Sequence, residues 1–269
     1  KQRRKELQEK GHVFATDTDS EVLVHGFEEW REDLLNRLRG MFGFAIWNRT
    51  DESLFIARDF FGIKPMHYTQ VGGHFLYASE IKSILKFPGF EKKFNYRTLD
   101  NYLSFQYAVP PETFFEGVYC LLPGHYLWYR DGKVETTRYW EARFNPDESL
   151  TEEQAVDEIE KGFEESVNAH KISDVEVGCF LSSGVDSSYV STYFADQKTF
   201  TVGFDFGEKY NEISWAERLS KKIGVEPHTH LISSEEFWGN VEHVHYHMEQ
   251  TVADSYCIAH HFVTKSASK

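Results

Sequence analysis

Four serines, a glycine and an aspartate form a short polar stretch that could bind a phosphate group. The stretch is Ser182-Ser183-Gly184-Val185-Asp186-Ser187-Ser188. Serine hydroxyls and backbone N–H groups can donate hydrogen bonds to phosphate oxygens, and Gly184 lets the backbone approach them closely. The carboxylate of Asp186 would repel a polyphosphate unless a cation lay between them. We therefore expect Mg²⁺ to be shared by Asp186 and the phosphates of a nucleotide.

The residues on either side of this stretch predict the elements that would position it. The apolar run 175–181 is typical of a buried central strand, and residues 189–195 continue as a helix. A strand, a turn and a helix start place several N–H groups at the positive end of a helix, where anions bind. The alternative is an ordinary serine-rich turn in which Asp186 only caps the helix. The stretch is not a Walker A loop, because no Gly-Lys-Ser/Thr follows.

The polar stretch resembles the pyrophosphate-binding loop of the ATP-pyrophosphatase enzymes, whose usual form is Ser-Gly-Gly-x-Asp-Ser. Ser183 stands where the first glycine is usual. The resemblance implies that ATP adenylates an oxygen of the substrate, releasing pyrophosphate, and that a nitrogen nucleophile then displaces AMP.

Composition and charge restrict the function classes. The 269 residues carry a formal charge of -14, which argues against nucleic acid or an anionic membrane as a general partner. Three distant cysteines, Cys120, Cys179 and Cys257, do not form a disulfide framework, so a reducing cytoplasm is expected. No apolar run approaches the roughly 18 residues of a membrane span, and no signal-type apolar core follows the basic opening.

The order of predicted elements indicates two domains, an α+β domain followed by an α/β domain. Residues 1–143 show helices at 1–10, 20–31, 32–38 and 94–107, and strands at 42–47, 53–58, 68–71 and 74–78. A polar linker covers 144–150. Residues 151–269 alternate between helices and apolar strands, with helices at 151–169, 211–224, 234–248 and 257–268 and strands at 199–204 and 226–232. Such alternation predicts a parallel, Rossmann-like sheet that binds ligands at the strand C-terminal ends.

A second run resembles the glutaminase domain of asparagine synthetases. It extends from Phe55 to Tyr68, and Arg58, Asp59 and Lys64 within it could form an ion-pair network. Further matching runs occur in order, and they are Asp19-Ser20-Glu21-Val22, Gly40-Met41-Phe42-Gly43-Phe44-Ala45-Ile46-Trp47, Tyr77-Ala78-Ser79-Glu80, Leu122-Pro123-Gly124 and Asn211-Glu212. The resemblance covers nearly the whole chain.

This resemblance implies an N-terminal-nucleophile hydrolase sandwich followed by an ATP-pyrophosphatase domain, both incomplete, and two coupled sites. In the first, an amino-terminal cysteine releases ammonia from glutamine, whose α-amino group would be held by Asp19. In the second, Mg-ATP adenylates aspartate, and ammonia attacks the β-aspartyl-AMP to give asparagine. The ATP and pyrophosphate site would comprise Leu181, Ser182, Ser183, Gly184, Val185, Asp186, Ser187, Ser188 and Val202, with Asp186 also binding the metal.

The chain departs from the family pattern in several places. Position 1 is Lys1, so the family nucleophile is missing, and the acidic Ser-Gly-Glu-Gly motif would lie beyond Lys269. The chain is therefore expected to be a fragment that is impaired on its own. Thr251 and Ser255 each stand where proline is usual.

Three other features contain side chains that can bind a metal or react. His243, His245 and His247 alternate on a predicted helix, with His243 and His247 on one face, but no third metal ligand is evident. His260-His261 indicates a surface or partner-facing polar patch. Cys179 lies in the apolar strand and is expected to be a buried, inert thiol.

The leading hypothesis is a glutamine-hydrolysing carbon-nitrogen ligase that makes asparagine from aspartate, glutamine and ATP, with a homodimer as a possible assembly. Two alternatives stay open. One is a related carboxylate-activating ligase, such as a β-lactam-forming synthetase. The other is a non-catalytic remnant that binds nucleotide or a partner.

Overall fold

A computed structural model describes residues 2–194, 197–205, 207, 211–250 and 252–268. The chain divides into two compact units, Lys1–Phe144 and Asn145–Lys269. Each unit is described by itself.

The first unit consists of short helices and two antiparallel sheets. Its helices are α1 (Gln2–Glu9), α2 (Asp19–Trp30), a 3-10 turn (Arg31–Asp33), α3 (Leu34–Arg37), α4 (Ile81–Ile84) and α5 (Tyr96–Phe105). Its strands are β1 (Gly43–Asn48), β2 (Ser53–Arg58), β3 (His67–Val71), β4 (His74–Ala78), β5 (Tyr119–Cys120), β6 (His125–Arg130) and β7 (Lys133–Arg138). One sheet has the order β1-β2-β6-β7 and the other β4-β3-β5.

Strand β2 lies at the centre of this unit, and all six of its residues are buried. Phe55 and Ala57 pack in one apolar cluster with residues of α2 and α3, whereas Leu54 and Ile56 pack in a second cluster with Met66 and Leu121. Successive residues of a strand point to opposite faces. The first sheet is therefore covered by helices on one face and by residues around the second sheet on the other, which confirms the predicted α+β sandwich.

The second unit is a parallel sheet with helices. Its elements are α6 (Glu152–His170), β8 (Cys179–Phe180), α7 (Val185–Thr192), β9 (Lys198–Phe204), α8 (Ile213–Ile223), β10 (Glu226–Ile232), α9 (Ser234–His247) and α10 (Tyr256–Ala267). The strands are parallel, with the order β10-β9-β8. Helix α6 begins at a capping box formed by Thr151 and Gln154, as its sequence indicates. The predicted alternation of strands and helices is confirmed.

The strand predicted at 175–181 is much shorter in the structure. Only Cys179 and Phe180 pair with β9, and β8 is at the edge of the sheet that the described residues form. Val175 is 78% exposed. An apolar strand becomes central only if a strand pairs on each side, and within the described ranges β8 pairs with β9 alone.

Two helix predictions also need correction. The helix predicted at 32–38 is divided into the 3-10 turn and the four-residue α3. The helix after the polar stretch ends at Thr192. Ala195, the last residue of the predicted helix 189–195, and Thr251, at a position where the family usually has proline, lie outside the described residues.

Among the described residues, no helix combines the length and apolar character that crossing a membrane requires. Cys120, Cys179 and Cys257 are free thiols.

Candidate functional site

The polar stretch connects β8 to α7 at the C-terminal ends of the parallel strands. The backbone N–H of Leu181 donates to the carbonyl of Phe200 at 3.0 Å. The hydroxyl of Thr201, which is buried in β9, donates to the carbonyl of Leu181 at 2.7 Å. These two bonds fix the start of the loop to β9. Ligands of open parallel sheets bind at this edge.

Serine hydroxyls inside the loop are bonded mainly to one another and to the backbone. Ser187 Oγ accepts a hydrogen bond from the N–H of Ser182 at 3.2 Å and lies 2.8 Å from Ser182 Oγ. Ser182 Oγ accepts from the N–H of Gly184 at 3.1 Å. The hydroxyls of Ser187 and Ser188 are 3.1 and 2.7 Å from the Gly184 carbonyl. The loop is thus folded around the Ser187 hydroxyl.

Backbone N–H groups, in contrast, stay available at the start of α7. In the part of the chain that the structure describes, the N–H groups of Ser183, Val185 and Asp186 have no protein acceptor. The first N–H groups of a helix have no partner within the helix and carry its positive partial charge. The loop can therefore donate several hydrogen bonds to an anion.

Ser183 is compatible with the loop although glycine is usual there. It is not among the residues with positive φ, so its backbone conformation does not require glycine. Its hydroxyl donates to Glu212 Oε1 at 2.9 Å. Gly184 has φ -70° and ψ 149°, and a Cβ there would lie 3.2 Å from Ser182 Oγ. Glycine at 184 is favoured by the close approach of that hydroxyl and not by an unusual φ.

A cavity of about 280 Å³ adjoins the loop. Four of the predicted site residues line it, namely Leu181, Ser182, Ser187 and Val202. Aromatic rings of Phe180, Phe200, Phe204 and Tyr256 form much of the remaining wall. Apolar walls beside a set of N–H donors suit a ligand with a flat, weakly polar part and an anionic part.

Five predicted residues do not line this cavity. Ser183, Gly184, Val185 and Asp186 are exposed, and Ser188 is partly exposed. Asp186 is in the first turn of α7, and among the described residues its carboxylate has no hydrogen-bond or ion-pair partner.

Glu212 and His260 also line the cavity and were not predicted as site residues. Asn211-Glu212 matched the family pattern, so this signal was available for Glu212. His260 was interpreted as surface polarity, and it is exposed, but its ring lies 5.7 Å from that of Phe180 at the cavity wall. The chain separation between Glu212 and Ser183 hides their contact from local sequence patterns.

In the first unit, Asp19 is the first residue of α2, and it is exposed. The loop before it is held by two other side chains. Glu21 accepts hydrogen bonds from the N–H groups of Ala15 and Thr16 at 2.6 and 2.7 Å, and Arg4 donates to the carbonyls of Thr16 and Thr18. The hydroxyl of Thr16 and these N–H groups lower the pKa of Glu21 to about 2.

Among the described residues, Arg58, Asp59 and Lys64 form no ion pair with one another, and Arg58 and Asp59 instead make structural contacts to the backbone around the loop. Arg58 donates to the backbone carbonyls of Gly62, Lys64 and Leu121 at 2.6 to 2.8 Å. The carboxylate of Asp59 accepts from backbone N–H groups of the same loop. Because both side chains are buried, each takes partners from the backbone, whose groups need satisfying there.

The remaining candidates have simpler environments. The rings of His243 and His247 lie 4.6 Å apart, and His261 is 5.4 Å from His243, so a third histidine is present that the sequence did not reveal. These histidines are not part of any described group whose ligand atoms lie within 4.8 Å. Burial raises the pKa of Cys179 to about 11, which agrees with an inert thiol.

Comparison with known families gives two matches. Residues 1–140 match the family model described as a glutamine amidotransferase domain. Residues 158–269 match the family model described as asparagine synthase.

Individual proteins resemble the chain over most of its length. "Asparagine synthetase [glutamine-hydrolyzing] 1" from Bacillus subtilis is 36% identical over 99% of this chain and 42% of its own length. A "putative asparagine synthetase [glutamine-hydrolyzing]" from Mycobacterium tuberculosis is 35% identical over 96% of this chain and 41% of its own length. The chain thus spans less than half the length of these relatives. Among solved structures, a glutamine phosphoribosylpyrophosphate amidotransferase from B. subtilis is 16% identical, with a TM-score of 0.36 over 85% of this chain and 42% of that chain.

Proposed function

We propose, because the chain belongs to the glutamine amidotransferase domain family, that the protein containing it takes ammonia from glutamine and uses it to make asparagine from aspartate and ATP. The first unit would belong to the glutaminase part, and the second would bind ATP. The β-carboxylate of aspartate would be adenylated, and ammonia would displace AMP.

The observation that carries this proposal is the loop between β8 and α7. It combines N–H groups without protein acceptors, the positive end of α7 and an adjoining cavity with aromatic walls. A nucleotide has both parts that this arrangement suits. Its phosphates would accept hydrogen bonds from the loop N–H groups, and its adenosine would occupy the cavity between Val202 and the aromatic rings.

Magnesium would be held near the phosphates by carboxylates. Asp186 and Glu212 fit this role, because both offer carboxylate oxygens, the ligands that Mg²⁺ prefers, next to the phosphate-binding loop. When bound, the ion would neutralise the charge of the phosphates. Glu212 would also orient Ser183, whose hydroxyl already contacts it. These are proposals for the chain's own residues.

In the first unit, the exposed carboxylate of Asp19 would bind the α-amino group of glutamine. The loop before α2 is well suited to present it. Glu21 and Arg4 hold the backbone of that loop from two sides, while among the described residues Asp19 has no partner of its own.

Four further aspects belong to this proposal. The segment 144–150 would link domains formed by residues 1–143 and 151–269. The free thiols fit a reducing cytoplasm, and we propose that location. A homodimer is proposed as the assembly, and no nucleic acid partner is expected at a net charge of -14.

Nucleotide binding can be tested by calorimetric titration of the chain with Mg-ATP. Asp186→Ala should weaken binding, because a metal ligand is lost. Asp174→Ala removes an exposed carboxylate of the same unit and should leave the affinity unchanged. Equal affinities of Asp186→Ala and the parent chain would remove Asp186 from the site, and no binding of ATP to the parent chain would contradict the nucleotide proposal.

Product analysis of the full-length protein that the gene encodes distinguishes the rival functions. Incubation with glutamine, aspartate and Mg-ATP should give asparagine, AMP and pyrophosphate. A cyclised product from another carboxylic acid would favour the β-lactam-forming alternative. ATP binding without turnover of either acid would favour a non-catalytic remnant.

A further inference from the structure

Two histidines and a glutamate form a compact cluster in the first unit, and none of the three is among the residues proposed above to bind glutamine, nucleotide or magnesium. His12 follows α1, whereas His25 and Glu28 are on α2. The two Nδ1 atoms are 3.2 Å apart, and Glu28 Oε2 lies 3.4 Å from His25 Nδ1 and 4.0 Å from His12 Nδ1. In the described part of the chain, this is the one group of three such residues whose ligand atoms all lie within 4.8 Å.

The other nitrogen of each imidazole faces a different carboxylate. His12 Nε2 is 3.4 Å from Glu29 Oε2, and His25 Nε2 is 3.5 Å from Glu21 Oε1. Glu21 also accepts backbone hydrogen bonds and so stays ionised at neutral pH. A neutral histidine carries one hydrogen, and a carboxylate at Nε2 favours placing it there. Both Nδ1 atoms then carry lone pairs.

Three acceptors consequently face one another: two Nδ1 lone pairs and the Glu28 carboxylate. With both hydrogens at Nε2, these atoms need a cation between them, either a proton or a metal ion. A hydrogen on one Nδ1 would instead give a neutral hydrogen bond between the two Nδ1 atoms, at the cost of that ring's Nε2–H contact to its carboxylate. The charges around the cluster also favour a dication, because Glu21, Glu28 and Glu29 outnumber Lys10, which pairs with Glu29 at 2.7 Å.

The distances match a metal ion. Zinc bonds of about 2.0–2.1 Å to nitrogen and oxygen place tetrahedral ligand atoms about 3.3–3.4 Å apart. Two of the three separations, 3.2 and 3.4 Å, are close to this value, and the third, at 4.0 Å, involves the largely exposed side chain of Glu28. A histidine that binds metal through one nitrogen usually donates its other N–H to a carboxylate, as Glu29 and Glu21 allow here.

We propose that His12, His25 and Glu28 bind a divalent transition-metal ion, with zinc as the best fit to two imidazoles and one carboxylate. The ion would connect the segment after α1 to the middle of α2. It would thereby fix the loop 12–18, which leads into Asp19. The binding site itself does not depend on the proposed enzymatic function.

Zinc titration of the chelator-treated chain in competition with a chromophoric chelator at pH 7.5 tests this site. We expect one zinc ion per chain at the site. Losing a hydrogen-bond partner of a metal ligand typically lowers metal affinity about 10–100-fold, so Glu29→Gln should fall in that range. Loss of a ligand should cost more, at least about 100-fold for His12→Gln or His25→Gln.

The controls address folding and competing histidines. Glu28 is exposed, so Glu28→Gln should fold normally and still weaken zinc binding. His74→Gln changes an exposed histidine of the same unit and should have no effect. His243→Gln/His247→Gln removes the other histidine cluster and should leave this site intact. X-ray absorption of the loaded chain should show two imidazole nitrogens among nitrogen and oxygen ligands.

Two results would overturn the proposal. One is zinc affinity that His12→Gln, His25→Gln and Glu28→Gln all leave unchanged. The other is absence of zinc binding, with nuclear magnetic resonance showing one imidazolium in the pair, because a shared proton would then be the cation between the two Nδ1 atoms.

Discussion

The carboxylate of Asp59 illustrates how a single buried residue shapes the first unit. Burial acts to raise its pKa, but backbone N–H groups of Lys64, Ile63, Phe42 and Phe61 outweigh it, so the pKa is lowered from 3.8. Asp59 is 1% exposed. We expect Asp59→Asn to destabilise the first unit by about 1.5–3 kcal/mol at pH 7, the usual value for hydrogen bonds to a charged group.

The pH dependence of this effect has a defined sign. A carboxyl group whose folded pKa is depressed stabilises the fold above its unfolded pKa and loses that contribution as the pH falls through the folded value. The difference between the parent chain and Asp59→Asn should therefore be full at pH 7 and shrink below about pH 4. Denaturant unfolding of the first unit at several pH values measures it. Asp100→Asn, at an exposed position of the same unit, is the control. If the stability difference between the parent chain and Asp59→Asn stayed constant down to pH 2, the ionised Asp59 carboxylate would not be its cause.

A similar prediction applies to Thr201 in the second unit. Its buried hydroxyl donates to the carbonyl of Leu181 at 2.7 Å. Thr201→Val keeps the shape but leaves that carbonyl without its donor, which costs about 1–3 kcal/mol. Because Leu181 begins the loop proposed to bind phosphate, ATP affinity should fall as well. Thr229→Val is a matched control on the neighbouring strand, since Thr229 is paired with Thr201 and is exposed. Calorimetric titration measures the ATP affinity of both variants, and denaturant unfolding measures their stability. Equal effects of Thr201→Val and Thr229→Val would show that the hydrogen bond from Thr201 to Leu181 has no special role.

At the scale of elements, the pairing of β8 with β9 depends on Gly178. A Cβ at this position would lie 2.7 Å from the Lys198 carbonyl and 3.0 Å from the Phe200 ring. Gly178→Ala must therefore displace β8 from β9, and we expect a destabilisation of about 1–3 kcal/mol. The weaker pairing should also reduce ATP binding, because the loop follows β8 directly.

Gly162 in α6 is the matched control for this substitution. A Cβ there meets nothing within 4 Å. Gly162→Ala should stabilise the helix by about 1 kcal/mol, since alanine has the higher helix propensity. Thermal unfolding of the two variants should thus shift in opposite directions. A midpoint for Gly178→Ala at or above that of the parent chain would show that the strand tolerates the methyl group.

Elements with local signals could be predicted from the sequence, and those that depend on distant partners could not. The capping box of Thr151 and Gln154 marks α6, and Gly72-Gly73 marks the turn between β3 and β4. In contrast, the number of residues of β8 that pair with a neighbour depends on which strands lie beside it. The residues 175–181 do not themselves determine those neighbours. The two-residue β8 is the result.

The residues of the candidate site also divide into those with a local sequence signal and those that depend on distant partners. The loop from Ser182 to Ser188 is contiguous, so its composition alone revealed it. Glu212 contacts Ser183 from 29 positions further along the chain, and His260 lines the cavity from α10. The cluster of His12, His25 and Glu28 likewise combines a residue after α1 with two residues of α2. Such sets form only when the chain folds, because the topology decides which distant side chains meet.

At the scale of the whole molecule, the two compact units offer separate binding sites. The proposed metal site belongs to residues 12–28, and the proposed nucleotide site belongs to residues 180–263. A ligand that binds only the folded form stabilises by RT ln(1 + [L]/Kd), about 2.7 kcal/mol at a hundredfold excess over Kd. Each ligand should act on the unit that holds its site.

Differential scanning calorimetry of the chain should therefore resolve two transitions with different ligand responses. Zinc should raise the midpoint of one transition, and Mg-ATP should raise that of the other. His25→Gln should abolish the zinc response while keeping the ATP response, and Asp186→Ala should do the reverse. These paired variants assign each transition to its unit, since each changes one site only. A single transition whose midpoint both ligands raise equally would mean that the two units unfold together. The proposed linker at 144–150 would then not separate two independently unfolding domains.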